Sequence, residues 1–202
     1  RDRLRSRGLG DVYKRQQLIS SVNQIDNESI EKAVKIILDC EKHGGRVHVT
    51  GIGKPAHVAG YIASLLSSTG TPAYELHGTE AVHGSAGQVK AKDVVIAISN
   101  SGNTHELEAT VRTLISNGAH IISCTGSKDS WLANHSEVCL LAHVDKEGDY
   151  LNKPPRSSIL IEIIILQCLS VILQERKHLT MAQYLKWHPG GSIGKSICEM
   201  KK

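Results

Sequence analysis

The sequence contains no phenylalanine, and aromatic residues make up only 3% of its 202 residues. Proteins that bind single-stranded nucleic acid stack the bases on exposed aromatic rings, so this scarcity disfavours that class of partner. The five cysteines are scattered along the chain without a CxxC pair. An odd number of cysteines with no evident pairing favours reduced thiols in a cytoplasmic protein over a disulfide framework.

Long apolar segments are also missing. No uninterrupted apolar run reaches the roughly 18 residues that a transmembrane helix requires, and the longest, residues 159–173, is interrupted by Glu162, Gln167 and Ser170. The basic and polar start of the sequence lacks the apolar segment of a secretory signal. We therefore expect a cytoplasmic protein that does not bind a membrane.

The net charge of +4 arises entirely within residues 1–16. This stretch carries six of the 24 basic and two of the 20 acidic residues, which leaves 18 of each sign in the rest of the chain. A basic tail could bind nucleic acid, but a disordered or foreign leader is the stronger interpretation, and such a leader is excluded from reasoning about the fold. We expect no nucleic-acid partner, and a single domain over residues 17–202.

From residue 17 onward, segments typical of strands alternate with segments typical of helices. Residues 93–98 are almost continuously apolar, as in a central strand of a parallel sheet. Apolar residues recur at helical spacing in the longer segments, and turns rich in glycine and serine follow the strands. The pattern predicts an α/β fold with an open sheet flanked by helices, whose ligands bind beyond the carboxyl ends of the strands.

The turn after residues 93–98 has the composition of a phosphate-binding site. It opens a helix and consists of Ser99, Asn100, Ser101, Gly102, Asn103 and Thr104. Three hydroxyl groups and several backbone N–H groups meet there at the positive end of the helix dipole. The alternative is an ordinary helix cap, but a cap needs one hydroxyl group and this turn offers three.

Several titratable residues lie where they could act as acids or bases. Lys54 follows Gly53 in a second strand-to-helix turn and could neutralise an anion. Glu106 lies on the first turn of the helix after the serine-rich turn and so faces the same crevice. Glu147 follows the last strand, and His188 precedes a rigid Pro-Gly-Gly segment. Carboxylates and imidazoles suit proton transfer, and a solvated surface position is the alternative for each.

His77, Glu80 and His83 lie within seven residues of one loop. Two histidines and a glutamate could ligate a metal, serve as acid and base groups, or be structural polar residues. Because no second cluster at ligand spacing supports a metal site, we expect no metal and no organic cofactor.

Six motifs occur in an order and spacing that resemble the sugar isomerase (SIS) domain. They are GIGKPAH (51–57), STGTP (68–72), HGTEAVHG (77–84), DVVIAISNSG (93–102), SCTGS (123–127) and WHPGGSIGK (187–195). The sequence closely resembles the arabinose-5-phosphate isomerase family over about residues 17–195. That resemblance implies a five-stranded parallel sheet, a homotetramer, and interconversion of D-arabinose 5-phosphate and D-ribulose 5-phosphate through an enediolate.

The resemblance also implies roles for single residues. It matches Lys54, Glu106, Glu147 and His188 to the proposed catalytic residues of the family, and His83 to a loop histidine. His188 could serve the site of a neighbouring subunit.

The sequence departs from the family pattern at Gly78, at Asn103 and across residues 148–156, where Arg156 suggests an altered pocket wall. Two alternative functions therefore stay open: an isomerase of another sugar phosphate, such as a hexulose 6-phosphate, and a regulator that senses a sugar phosphate without catalysis. The joint presence of the four catalytic candidates favours an enzyme. Many relatives carry a C-terminal pair of CBS domains, and we expect none here.

Overall fold

The computed structural model describes residues 14–190. Five strands are present: β1 (Val47–Gly51), β2 (Ala73–Glu75), β3 (Val94–Ile98), β4 (His120–Thr125) and β5 (Val138–Leu141). They form one sheet in the order β2-β1-β3-β4-β5, and all four neighbouring pairs are parallel. The predicted five-stranded parallel sheet is therefore confirmed.

Eight helical segments surround the sheet in the described part of the chain. They are α1 (residues 14–23), α2 (Asn27–Lys42), α3 (Lys54–Ser68), α4 (Gly78–Ala81), α5 (His105–Ser116), α6 (Trp131–Asn134), α7 (Ser157–Arg176) and α8 (Met181–Trp187). A 3-10 turn at Ser85–Gln88 precedes β3. Residues 14–16 of the predicted leader belong to α1, and the remainder of that leader lies outside the described residues.

The helices form two layers, one on each face of the sheet. On one face, α2, α3 and α7 bury residues such as Ile37, Ile62 and Leu166 against the sheet. On the other face, α5 and the short helices α4 and α6 bury residues such as Leu107 and Leu132. Every residue of β1 and β3 is buried, as expected of central strands that are covered on both faces.

Local chemistry explains where most helices begin. The Asp26 carboxylate accepts a hydrogen bond from the first turn of α2, and the hydroxyl groups of Ser130 and Thr180 do the same for α6 and α8. Pro55 lies in the first turn of α3, where its missing N–H group costs nothing. The segment after β2 was predicted to be a loop or irregular turn, but it contains α4, which the His77 ring caps by accepting a hydrogen bond from the Glu80 amide.

The long helix α7 is the most apolar element. Its 20 residues are long and apolar enough to cross a membrane by length and composition alone, and half of the relevant window is buried inside the protein. The same helix packs against α2 and α3 through residues such as Ile161, Ile165 and Leu169. These contacts are those of a core helix in an α/β protein.

Candidate functional site

The turns that follow β1 and β3 lie side by side at the carboxyl end of the sheet. β1 and β3 pair directly, with Gly51 opposite Ile98, so the two turns start about 4.8 Å apart, the spacing of neighbouring strands. After these turns, α3 packs on one face of the sheet and α5 on the other. This divergence opens a crevice of the kind in which α/β proteins bind ligands.

The turn after β3 groups its hydroxyl groups at the start of α5. The buried Ser99 hydroxyl lies 3.2 Å from the Thr104 hydroxyl and accepts a hydrogen bond from the Gly102 amide at 3.1 Å. Ser101 is exposed, and its hydroxyl accepts from the Asn103 amide at 3.3 Å. Thr104 precedes α5 but makes no side-chain cap. The Thr104 hydroxyl is therefore not used to cap α5, so the alternative of an ordinary helix cap does not explain why a threonine lies there.

Contacts with the segment after β4 hold this turn in shape. The Asn100 carbonyl accepts a hydrogen bond from the Gly126 amide at 2.9 Å, and Asn103 Oδ1 accepts from the Trp131 amide at 2.9 Å. Gly102 has a φ of +63°, and a side chain there would collide with the residue that caps α6. Only glycine fits this position without strain, so the turn is rigid before any ligand binds.

Lys54 begins α3 at the opposite wall of the crevice. It follows Gly53, whose φ of +69° turns the chain sharply from β1 into the helix. The exposed Lys54 side chain lines a groove of about 290 Å³ together with Pro155 and Ile159 at the start of α7. The groove shows that the starts of α3 and α7 lie next to each other.

Glu147 lies near the start of α7 and is buried. The residue is 8% exposed, and its Oε2 accepts hydrogen bonds from the amides of Arg156 at 2.6 Å and Ser158 at 3.2 Å. A carboxylate at the amino end of a helix is stabilised by the helix dipole. Glu147 is therefore not the solvated surface carboxylate that its loop position allowed. The start of α7 holds its carboxylate at the end of the sheet where Lys54 lies.

A second buried carboxyl group belongs to Glu162, which sequence reasoning noticed only as an interruption of an apolar run. Glu162 is fully buried on α7, and neither of its carboxyl oxygens has a hydrogen-bond partner among the described residues. Burial and, to a smaller extent, the charge of nearby Glu147 raise the pKa of Glu162 to about 8. The sequence did offer one signal for a buried carboxyl group. Glu162 is the single acidic residue within an apolar segment, and it lies one helical turn after Ser158.

Glu106 lies at the same end of the sheet but on the other face. Thr110, one turn after Glu106 and on the same side of α5, donates a hydrogen bond to the Gly78 carbonyl at the start of α4. Gly78 in turn packs against the end of β1, where a side chain would crowd the Gly51 carbonyl. The exposed Glu106 and the segment that carries α4 therefore border the same crevice.

The predicted histidine-rich loop is organised by hydrogen bonds within itself. His77 Nδ1 lies 3.0 Å from the Thr79 hydroxyl and caps α4, and the exposed His83 follows that helix. Within residues 14–190, no three histidine, cysteine, aspartate or glutamate side chains are grouped as metal ligands. His77, Glu80 and His83 thus do not form the metal-ligand set that their spacing allowed.

His188 lies at the opposite end of the sheet. The adjacent Trp187 ring packs against Gly70, just beyond the end of α3, and α3 is 15 residues, or about 22 Å, long. The His188 ring stacks on Tyr184, and its Nδ1 lies 2.8 Å from the Tyr184 carbonyl oxygen. Within one chain, His188 is therefore far from Lys54, which begins α3 at the other end.

Another cavity of the described chain lies away from all of these residues. It has a volume of about 890 Å³, runs along α2, and reaches Lys92 and His120 near the amino ends of β3 and β4. It contains none of the predicted site residues. The crevice at the carboxyl ends of β1 and β3, beside the smaller groove, is therefore the candidate functional site.

Comparisons with known proteins show which proteins this chain resembles. The family model of the SIS domain matches residues 41–171. The arabinose 5-phosphate isomerase KdsD of Francisella tularensis is 38% identical over 175 residues, which cover 87% of this chain and 53% of the relative. The KdsD protein of Pseudomonas aeruginosa is 40% identical over 153 residues, which cover 76% of this chain and 47% of the relative.

A solved structure from E. coli CFT073, in complex with arabinose 5-phosphate, superposes on this chain with a TM-score of 0.84 at 32% sequence identity. The match covers 94% of this chain and 99% of the solved one. This chain spans about half the length of the curated relatives it matches. The family-model match includes Lys54, the turn after β3, Glu106 and Glu147 but ends before His188.

Proposed function

Because the chain belongs to the SIS-domain family, we propose that it is an aldose–ketose isomerase that interconverts D-arabinose 5-phosphate and D-ribulose 5-phosphate. The observation that carries the proposal is the crevice between β1 and β3, where a rigid turn rich in hydroxyl groups lies opposite Lys54. The curated relatives named arabinose 5-phosphate isomerase, and the solved relative bound to arabinose 5-phosphate, support this choice of sugar.

The turn after β3 holds the phosphate group of the sugar. The hydroxyl groups of Ser99, Ser101 and Thr104 donate hydrogen bonds to the phosphate oxygens. The backbone N–H groups of Asn100 and Gly53 and the positive end of α5 add further stabilisation of a dianion. With the phosphate anchored there, the aldehyde end of the open-chain sugar extends along the crevice toward the acid and base residues.

The reaction removes one proton from C2 and adds one at C1. In the aldose-to-ketose direction, a base removes the proton on C2, and the electron pair forms the C1–C2 double bond as the carbonyl oxygen O1 becomes negatively charged. O1 then gains a proton, the hydroxyl on C2 loses one, and C1 is protonated as the C2 carbonyl forms. These steps need a base, an acid and a positive group near O1, and no cofactor.

The residues around the crevice supply these groups. Glu147 is a candidate base, because two backbone amides hold its carboxylate in one orientation. Lys54 stabilises the negative O1. Glu106 and His83, on the other wall, are candidates to move protons between O1 and the hydroxyl on C2. His188 reaches the crevice of a neighbouring subunit, since within its own chain it lies at the far end of α3.

The active form in this proposal is a cytoplasmic homotetramer. α7 exposes the apolar side chains of Leu160 and Val171, which suit contacts between subunits. Cys40, Cys124, Cys139 and Cys168 are all free, which suits a reducing compartment, and Cys198 lies outside the described residues.

A coupled assay over a panel of pentose and hexose phosphates tests the function. We expect turnover of arabinose 5-phosphate and ribulose 5-phosphate that persists after exhaustive chelation of metals, and far slower turnover of hexose phosphates. Preference for a hexulose 6-phosphate would reject the choice of sugar. Binding of a sugar phosphate without turnover would identify a sensor instead of an enzyme.

A further inference from the structure

Glu162 is a buried titratable group that the proposed reaction leaves unused. Its side chain is fully buried, and both carboxyl oxygens lack partners among the described residues. A buried polar group without hydrogen bonds costs free energy, and an apolar residue would fill this position in an otherwise apolar helix at lower cost. A carboxyl group that is retained in such a place is a candidate for a role in function.

The position of Glu162 relates it to Glu147. Ser158, whose amide donates to Glu147 Oε2 at 3.2 Å, lies one turn before Glu162 on α7. Residues four apart lie on the same side of a helix, so Glu162 lies beneath the end of α7 that holds Glu147. Two carboxyl groups that share a buried site ionise one after the other, because the charge of the first disfavours the charge of the second.

We propose that Glu162 is a positioning residue for Glu147: as a neutral carboxylic acid it keeps the pair at one negative charge and leaves that charge on Glu147. Glu147 accepts two backbone hydrogen bonds at the amino end of α7, whereas Glu162 accepts none among the described residues. The shared proton therefore resides on Glu162. This inference rests on the proposed function, in which Glu147 moves a proton of the sugar.

The other groups around Glu162 leave this division of charge intact. The Cys124 thiol near the end of β4 lies close enough to Glu162 for their charges to interact. Burial raises the pKa of Cys124 well above its usual value, so the thiol is neutral and adds no charge. Helix α3 lines the groove beside Ile159 and Ile163 with Lys54, His57 and Tyr61.

Helices α1 and α2 also contribute charged groups. The side chain of Lys14 in α1 packs against Gly148, the residue after Glu147 in the loop before α7. Two acidic residues of α2 pair with the far end of α7, Glu31 with Arg176 and Glu41 with Lys177. Among the described residues, Glu147 is the group whose charge acts on Glu162.

The proposal makes turnover depend on pH. While Glu162 is protonated, Glu147 keeps the orientation in which the amides of Arg156 and Ser158 hold it. When Glu162 ionises, a second negative charge appears beneath Glu147 and disturbs the hydrogen bonds that hold it. Turnover of the wild-type chain should therefore fall as the pH rises above about 8, the pKa of Glu162.

The test compares pH profiles of kcat for the wild-type chain, Glu162→Gln and the control Glu175→Gln, which makes the same change at an exposed position of α7. Glutamine keeps the shape and the neutral state of protonated Glu162. We expect the alkaline decline to disappear in Glu162→Gln, so that its kcat at pH 9, relative to its own value at pH 7, exceeds the wild-type ratio about tenfold. Glu175→Gln should keep the decline. An unchanged alkaline decline in folded Glu162→Gln would overturn the proposal.

A second measurement does not depend on activity. With glutamate labelled by ¹³C at the carboxyl carbon, NMR of the wild-type chain should show one carboxyl group that titrates near pH 8, and Glu147→Gln should lower that midpoint. If no glutamate titrates above about pH 6, or if Glu147→Gln leaves the midpoint unchanged, the proposal is overturned. A wild-type chain that does not convert arabinose 5-phosphate rejects the proposed function separately, while this titration still decides whether the two carboxyl groups are paired.

Discussion

Ser99 and Ser101 belong to the same turn but differ in what they bind within the chain. The buried Ser99 hydroxyl accepts a hydrogen bond from the Gly102 amide and lies against that of Thr104, whereas the exposed Ser101 hydroxyl accepts a long one, at 3.3 Å, from the Asn103 amide. We expect Ser101→Ala to weaken binding of arabinose 5-phosphate by about 10- to 100-fold, the loss of one charge-assisted hydrogen bond, with an unchanged Tm. Ser99→Ala should lower both affinity and Tm. Calorimetric titration and thermal unfolding measure these effects, and an unchanged Kd for Ser101→Ala would contradict the phosphate assignment.

Glu147 offers a test of proton transfer at a single residue. In Glu147→Gln, the amide oxygen can still accept hydrogen bonds from Arg156 and Ser158, so the start of α7 should stay intact. We expect kcat to fall by about 10²- to 10⁴-fold while KM changes far less. Glu175→Gln is the matched control. Steady-state kinetics measure both variants, and a kcat close to that of the wild-type chain would rule Glu147 out as the base.

The residue types in the crevice could be predicted from the sequence, but not all of their contacts. Lys54 and the turn after β3 were predictable as neighbours, because each directly follows a strand and parallel strands end at the same edge. The resemblance of the motifs to the SIS domain is confirmed by the family match. Glu162 was missed because its importance comes from burial and from nearby Glu147, neither of which a residue type reveals. The roles of the site residues remain predictions.

Among the helices, Lys177 at the end of α7 joins three elements at once. Its ammonium group donates to Glu41 Oε1 at 2.5 Å in α2, and to the Gly70 carbonyl at 3.0 Å and the Thr71 hydroxyl at 2.6 Å beyond α3. Lys177→Met would leave the largely buried Glu41 carboxylate without its partner. We expect a loss of about 2–4 kcal/mol in the free energy of unfolding, measured by chemical denaturation.

The neighbouring Arg176 is the matched control for this prediction. It pairs with Glu31 at 2.9 Å, but both side chains are about half exposed. Arg176→Met should therefore cost less than about 1 kcal/mol. Equal losses in the two variants would contradict the view that Lys177 ties the helices together.

The apolar run predicted to be a central strand at residues 93–98 matches β3 (Val94–Ile98) to within one residue, because a continuous apolar run marks such a strand in the sequence. The four-residue helix α4 is too short to show a period. It is held by the His77 cap and by the hydrogen bond from Thr110, a residue 32 positions away from Gly78. Such long-range support is not visible in a local sequence pattern.

For the whole molecule, Glu162 predicts how stability depends on pH. The folded chain keeps the Glu162 proton up to about pH 8, whereas an ordinary glutamate releases it near 4.5. Between these values the folded state binds more protons than the unfolded state, so this residue lowers the free energy of unfolding as the pH rises. We expect Glu162→Gln to be more stable than the wild-type chain at pH 8, by at most about 5 kcal/mol, and the difference to shrink toward pH 5. Denaturant titrations across this range measure it, and a difference that does not change with pH would contradict the assignment.

Subunit assembly predicts complementation between inactive variants. Lys54→Ala and His188→Ala should each be inactive alone, because each removes one side of a site shared by two chains. When the two are unfolded together and refolded as a mixture, random pairing should restore about a quarter of the sites. Activity assays with light scattering test this. A fully active monomer, or no activity in mixed oligomers, would contradict the assignment of His188 to a neighbouring subunit.

The most direct test of the proposed isomerisation follows the carbon-bound proton itself. The wild-type chain is incubated with arabinose 5-phosphate in D₂O, and NMR follows the signals of C1 and C2 over time. We predict that ribulose 5-phosphate appears with deuterium at C1 and that the remaining aldose gains deuterium at C2, because a base exchanges the abstracted proton with solvent. Conversion without deuterium at either carbon, or no conversion at all, would contradict the proposed proton transfer.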